Sequence, residues 1–226
     1  MRKLLVVGAS SGIGAALARL AQAEFQVYTL SRTSPENIRS THFICDVLTD
    51  PLPVIDEPLA GLVYCPGSIN LKPFASLKAN EFRQDLEINL LGAVRCLQHY
   101  QRNLQASDVA SVVLFSTVAV QTGFPYHATV AAAKGAVEGL TRSLAAEWAP
   151  KVRVNAIAPS LTDTPLAVRL LSDDTKKQAA AARHPLKRIG SAEDIAQMAM
   201  FLLSDKASWI SGQIMHVDGG VSAIRT

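Results

Sequence analysis

Residues 8–14 read Gly8-Ala9-Ser10-Ser11-Gly12-Ile13-Gly14, between the apolar run Leu4 to Val7 and the helix-forming stretch Ala15-Ala16-Leu17-Ala18. A glycine-rich turn between a strand and a helix has a physical use. Gly8 permits a tight exit from the strand, Gly12 lets the backbone approach a pyrophosphate, and Gly14 lets the helix pack closely on the sheet. The helix offers free N–H donors and positive potential at its first turn, so Ser10, Ser11 and Ile13 sit where an anion is held. A structural turn without ligand would also use glycine. Strand, glycines and helix together at the start of a βαβ unit favour a dinucleotide site instead.

Outward from the turn, short β-type apolar runs alternate with helical patterns. Leu4 to Val7, Gln26 to Leu30, His42 to Cys45, Leu62 to Cys65, Ser111 to Phe115, Arg153 to Ile157 and Ile214 to Val217 read as strands. Several are apolar throughout, as parallel strands covered on both faces should be. Helical patterns run over Ile13 to Glu24, Asn80 to Asn103, Thr129 to Trp148 and Ala192 to Leu203. This alternation predicts an α/β fold: a single Rossmann-type doubly wound parallel sheet with helices on both faces, in one dinucleotide-binding and catalytic domain over 1–226. Two links are lean. Ser31 to Thr41 carries Pro35, and Asp46 to Ala60 carries Pro51, Pro53 and Pro58, so neither should hold more than a turn or two of helix. The stretch 166–183 reads as a loop over the pocket, with Leu166, Val168, Leu170 and Leu171 as an apolar lid. Lys176, Lys177, Arg183, Lys187 and Arg188 either meet an anionic group there or form a solvated helix face.

Composition narrows the function classes. The chain is 49% hydrophobic, yet no apolar run approaches the roughly 20 residues that span a bilayer. Met1-Arg2-Lys3 before Leu4 to Val7 imitates a signal peptide, but the apolar run is short and enters the glycine turn. The net charge of +3 is modest and its lysines and arginines are scattered, which argues against a nucleic-acid or membrane surface. Cys45, Cys65 and Cys96 are far apart and odd in number, as suits a reducing cytosol, and no histidine or cysteine spacing suggests a metal site. The expectation is a cytoplasmic protein with a small-molecule partner.

The GxxxGxG spacing resembles that of the short-chain dehydrogenase/reductase family, and the likeness continues along the chain. Asp46-Val47 is similar to the family's adenine-contacting pair, and Gly67 survives from its Asn-Asn-Ala-Gly, here Tyr64-Cys65-Pro66-Gly67. Asn89 in Asn89-Leu90-Leu91-Gly92 matches the catalytic helix asparagine, and Val112 to Thr117 the strand that ends at the catalytic serine. Lys134 to Thr141 resembles the wording after the catalytic lysine, which also contacts the cofactor. Arg153 to Pro159 with Asp163-Thr164-Pro165 resembles the loop at the nicotinamide, though Ser160 replaces the usual glycine. The resemblance implies Pro159 and Thr164 as cofactor contacts. It also implies a homodimer or homotetramer, since the long helices Asn80 to Asn103 and Thr129 to Trp148 usually pair across two-fold axes.

The end of the second strand decides the dinucleotide. An NAD-specific protein offers a carboxylate to the ribose 2′-OH there, and that charge would repel a 2′-phosphate. This chain reads Leu30-Ser31-Arg32-Thr33, with no acid until Glu36. Arg32 can hold a phosphate bidentately while Ser31 donates a hydrogen bond, so the expected cofactor is NADP(H). A merely solvated Arg32 is the plainer alternative.

The catalytic pattern breaks at one place. The family's acid is a tyrosine four residues before the lysine, with a serine thirteen residues before that; counting back from Lys134 gives Val130 and Thr117. Thr117 can still hydrogen-bond a carbonyl oxygen, but valine has no proton to give. Tyr126, eight residues before Lys134, could substitute from a loop, and His127 is a second option. Two readings follow. One is an NADP(H)-dependent oxidoreductase acting on a carbonyl or alcohol through Thr117, Asn89, Lys134 and Tyr126 or water. The other is a non-catalytic NADP(H)-binding member, a sensor or oligomer partner.

Overall fold

The structure, a computed structural model, describes residues 1–225. Its centre is a seven-stranded parallel sheet in the order β3-β2-β1-β4-β5-β6-β9. The strands are β1 (Arg2–Val7), β2 (Phe25–Ser31), β3 (Thr41–Ile44), β4 (Gly61–Tyr64), β5 (Ala110–Phe115), β6 (Val152–Pro159) and β9 (Ile214–Val217). A two-stranded parallel pair, β7 (Thr162–Asp163) with β8 (Gly190–Ser191), stands beside it.

The sheet is parallel because both of its faces are apolar. In β1, Leu4, Leu5, Val6 and Val7 are all fully buried, and alternate side chains enter different layers. Leu5 and Val7 join Tyr64, Leu97, Tyr100 and Leu114. Leu4 and Val6 join Leu17, Ile195, Ala199 and Leu202. The second layer is built by α1 (Gly12–Ala21) and α6 (Ala192–Leu203), and the first by α3 (Gly92–Gln105) and α4 (Ala128–Trp148), with α2 (Ala79–Leu86) packed against α4. The doubly wound fold expected from the sequence is the fold observed. Strand order reverses between β1 and β4, which opens a crevice beyond their C-terminal ends.

Three local features depart from the sequence reading or explain it. The helix expected over Asn80 to Asn103 is interrupted by a π-helical segment, Glu87–Leu91. The cause is Tyr64. Its hydroxyl donates to the Ile88 carbonyl at 2.8 Å, and the Gly92 N–H bonds five residues back to Glu87 instead. A Cβ at Gly92 would collide with that hydroxyl. The lean links carry no crossover helix, as expected. In place of one, α3 side chains bind the carbonyls of 46–60: Arg95 donates to Val47 and Asp50 at 2.6 and 2.5 Å, and Tyr100 to Pro53 at 2.8 Å. The stretch 166–183 is not a continuous loop. It holds α5 (Asp174–Arg183), capped by Asp173, whose carboxylate accepts from the Lys176 N–H at 2.9 Å. Only Ala180 of α5 is buried, so no apolar periodicity announced the helix. Lys176, Lys177 and Arg183 ride on that helix rather than on a lid loop.

Candidate active site

A cleft of about 1050 Å³ opens at the C-terminal ends of β1, β2 and β4. The predicted cofactor residues Gly8, Ser10, Ser11, Gly12, Ile13, Gly14, Ser31, Arg32, Asp46, Val47, Gly67 and Thr164 all line it. Lys134 and Pro159 do not. Gly8 has φ +82°, which an L side chain rarely adopts, and a Cβ there would stand 2.8 Å from Pro66 Cδ. A Cβ on Gly14 would overlap the Gly8 carbonyl oxygen, so the first turn of α1 can lie against the strand exit only as glycine. Ser11 caps α1 without turning its hydroxyl back on the helix. The first-turn N–H groups of α1 therefore face the cleft without a side-chain cap. This is an anion cradle.

At the β2 end, buried Ser31 donates its hydroxyl to the Thr33 carbonyl at 2.9 Å and tightens the turn that leaves Arg32 exposed on the cleft wall. The hydroxyl proton expected to meet the ligand is therefore engaged locally. At the β3 end, Asp46 closes an Asx turn, its Oδ1 accepting from the Leu48 N–H at 2.9 Å, with Val47 buried beneath.

The opposite end of the site is built from the π-helical segment and α4. Asn89 lies in that segment, where its Oδ1 accepts from the Ser68 N–H at 3.3 Å. Its Nδ2 donates to Ser68 Oγ and the Asp85 carbonyl, at 3.0 and 2.9 Å. Lys134 is buried on α4. A Cβ on Gly67 would be 3.0 Å from Asn89 Oδ1 and 3.7 Å from Lys134 Nζ, so both side chains converge on one point beside the glycine. Burial lowers the Lys134 ammonium to about 8, against the opposing pull of Cys65 and Asp85. Cys65 is itself pushed up to about 12 by burial and stays a neutral thiol near pH 8.

Val130 lies one turn before Lys134 and is buried with it. Ser116 is engaged, donating to Glu138 at 2.8 Å in the interior. Thr117 is partly open. Its Oγ1 accepts from the Ala119 N–H at 3.3 Å, which leaves the hydroxyl proton free to donate. Tyr126 is 59% exposed at φ +71° and does not line the cleft, and His127 Nδ1 is 2.7 Å from the Pro125 carbonyl oxygen.

Two features escaped the sequence reading, the burial of Asp85 and the partner of Ser160. Asp85 is fully buried on α2, and its spacing of four from Asn89 could have placed it on the same face. Ser160 Oγ lies 2.8 Å from His184 Nε2, whose Nδ1 is 2.9 Å from the Ala180 carbonyl oxygen, so the serine that replaces the expected glycine ties α5 to the exit of β6. Nothing in the one-dimensional spacing joins those two.

The fold and cleft define a Rossmann-type α/β protein with an anion cradle at one end of its site and a buried lysine and asparagine at the other. Residues 55–222 match the short-chain family model described as Enoyl-(Acyl carrier protein) reductase, and the chain belongs to the short-chain dehydrogenase/reductase family. It is 35% identical over 244 residues to a tropinone reductase homologue of Arabidopsis thaliana, covering 96% of this chain and 92% of the relative. Aldohexose dehydrogenase of Thermoplasma acidophilum superposes with a TM-score of 0.89 at 30% identity, covering 100% of this chain and 96% of that one. A candidate 2-deoxy-D-gluconate 3-dehydrogenase of Agrobacterium tumefaciens, solved with bound NADP, gives 0.88 at 31% identity over 99% and 97% of the two chains.

Proposed function

We propose that this protein is an NADP(H)-dependent oxidoreductase that interconverts a carbonyl and an alcohol, with its proton step carried by Lys134 in place of a phenol. The observation that carries the reading is the convergence of Lys134 and Asn89 beside Gly67, with Val130 where the family's tyrosine is expected. The glycine turn and the uncapped start of α1 fit a pyrophosphate, and Arg32 fits a 2′-phosphate. Relatives solved with NADP support that choice. Asp46 and Val47 would hold the adenine, while Pro159 and Thr164 would stand at the nicotinamide end. When bound, the cofactor supplies or accepts the hydride. Thr117 donates a hydrogen bond to the substrate oxygen, Asn89 fixes the floor through Ser68, and the Lys134 ammonium gives up its proton as the alcohol forms.

The residues 1–226 act as one binding and catalytic domain. Assembly into a homodimer or homotetramer fits the small-residue face of α4, where Gly139 has nothing within 4 Å of its Cβ position. Three unpaired cysteines fit a reducing cytoplasm, and among the described residues no helix is long and apolar enough to cross a membrane.

The second reading, a non-catalytic NADP(H)-binding protein, is favoured by Val130 alone. NADPH oxidation over a panel of carbonyl substrates separates the two. Turnover that Lys134→Met abolishes supports the enzyme. Tight NADPH binding with no turnover on any substrate refutes it.

A further inference from the structure

We propose that Asp85 is the buried counter-charge that holds Lys134 in its ammonium form, a positioning residue for the proton step of the oxidoreductase reading above. Asp85 is fully buried on α2 at the wall of the cleft. Its Oδ1 accepts from Ser68 Oγ at 2.5 Å and from Asn70 Nδ2 at 3.0 Å. Its Oδ2 is buried and has no hydrogen-bond partner among the described residues. Donors on one oxygen favour the charged carboxyl, yet a carboxylate sealed from water on its other oxygen needs a positive charge nearby.

The candidates for that charge are few. Lys72 pairs with Glu81, Arg95 is held by the Val47 and Asp50 carbonyls, and Arg83 is exposed on α2. Lys134 is buried, and Asn89 joins its corner to the Asp85 carboxylate through Ser68: the amide nitrogen of Asn89 donates to Ser68 Oγ, which donates to Asp85 Oδ1, and the amide oxygen shares the Gly67 corner with Nζ.

The surroundings of Lys134 lead back to the same residue. The acidic groups that face it are Cys65 at the end of β4 and Asp85 on α2. Glu138, one turn further along α4, is occupied by Ser116 and Arg142. Cys65 remains a thiol over the range in which Lys134 titrates. Asp85 is then the negative charge that offsets the desolvation of the ammonium. Because burial alone drives a lysine toward its neutral form, removing Asp85 must lower the Lys134 midpoint.

The test follows Lys134 directly, by NMR titration of protein labelled with 13C at lysine Cε and assigned with Lys134→Met. Asp85→Asn and Asp85→Ser should each lower the midpoint by roughly one pH unit, and Asp85→Glu should restore it. A folded neutral variant with an unmoved midpoint overturns the proposal. In a protein that turns over, the alkaline limb of kcat should move with the NMR midpoint while KM stays nearly constant. The titration reads Lys134 with or without turnover. A wild type that binds NADPH and reduces nothing refutes the proposed activity alone, and an unmoved midpoint in an active protein refutes the counter-charge alone.

Discussion

Raising the pH through the titration of Lys134 should switch off carbonyl reduction and switch on alcohol oxidation. Burial holds this ammonium near 8 rather than 10.5. About nine-tenths of it is then protonated at pH 7 and about one-tenth at pH 9. A reduction that draws its proton from Lys134 falls about tenfold across that interval, and an oxidation that needs the free amine rises by the same factor. Initial rates of NADPH consumption at saturating cofactor and constant ionic strength, followed over the pH range in both directions, give the profile. A midpoint near 10, where an unburied lysine or a free phenol loses its proton, would refute the buried Lys134 as the acid. The same shift has a stability counterpart. The unfolded chain keeps an ordinary lysine, so between about 8 and 10.5 it binds more protons than the folded one, and stability rises with pH across that window. Below it the folded protein carries a penalty of about 3 kcal/mol. In an Asp85→Asn background, where no carboxylate is left unpaired, Lys134→Met should therefore raise the Tm of the apoprotein at pH 7.

Other expectations follow from single positions. Arg32→Ala should weaken NADPH binding by roughly one to two decades and leave NADH nearly unchanged, since a charge-assisted phosphate contact is worth about 1.5–3 kcal/mol; equal losses in a fluorescence titration would remove Arg32 from the 2′-phosphate. Val130→Tyr should place a phenol one helical turn from Lys134 and raise carbonyl reduction by about 10²-fold, whereas Tyr126→Phe should leave the wild-type rate unchanged if the lysine is the acid. Gly139 sits in mid-helix with open space at its Cβ position, so Gly139→Trp should dissociate the proposed dimer or tetramer in light scattering without unfolding the chain. Gly139→Ala, which adds only a methyl group there, should gain about 1 kcal/mol in denaturant unfolding.

How much of this was legible in the sequence depended on where the cause lay. Strand β1 was readable because four consecutive apolar residues are buried on alternating sides, a pattern with a local cause. The lean links were readable because proline and length forbid helices there. The cofactor cleft was readable because Gly8 and Gly14 meet backbone or ring atoms that any side chain would hit. The bounds of α5 were not readable, since one buried alanine leaves no period to detect, but Lys176, Lys177 and Arg183 do lie exposed on it as the solvated helix face that was one of their two readings. The π-helical segment was not readable because its cause, the Tyr64 hydroxyl, comes from another strand. Asp85 was within reach, four residues before Asn89, but an acid in a charged stretch of helix looks solvated until its burial is known.

The π-helical segment also sets a constraint of phase. It carries one residue more than an α-helical path between α2 and α3 would, and in an α-helix each residue turns the chain by about 100°. Deleting a residue from Glu87–Leu91 would let the segment wind as a plain α-helix and turn the two flanking helices out of step. Either Cys96, Leu97, Tyr100 and Leu104 would leave the core, or Asp85 and Asn89 would swing away from Gly67. No single rotation satisfies both sets. The hydrophobic stripe of α3 and the polar end of the site are thus meshed like two gears through one extra residue, so a length change harmless in the neighbouring loops would here uncouple folding from chemistry.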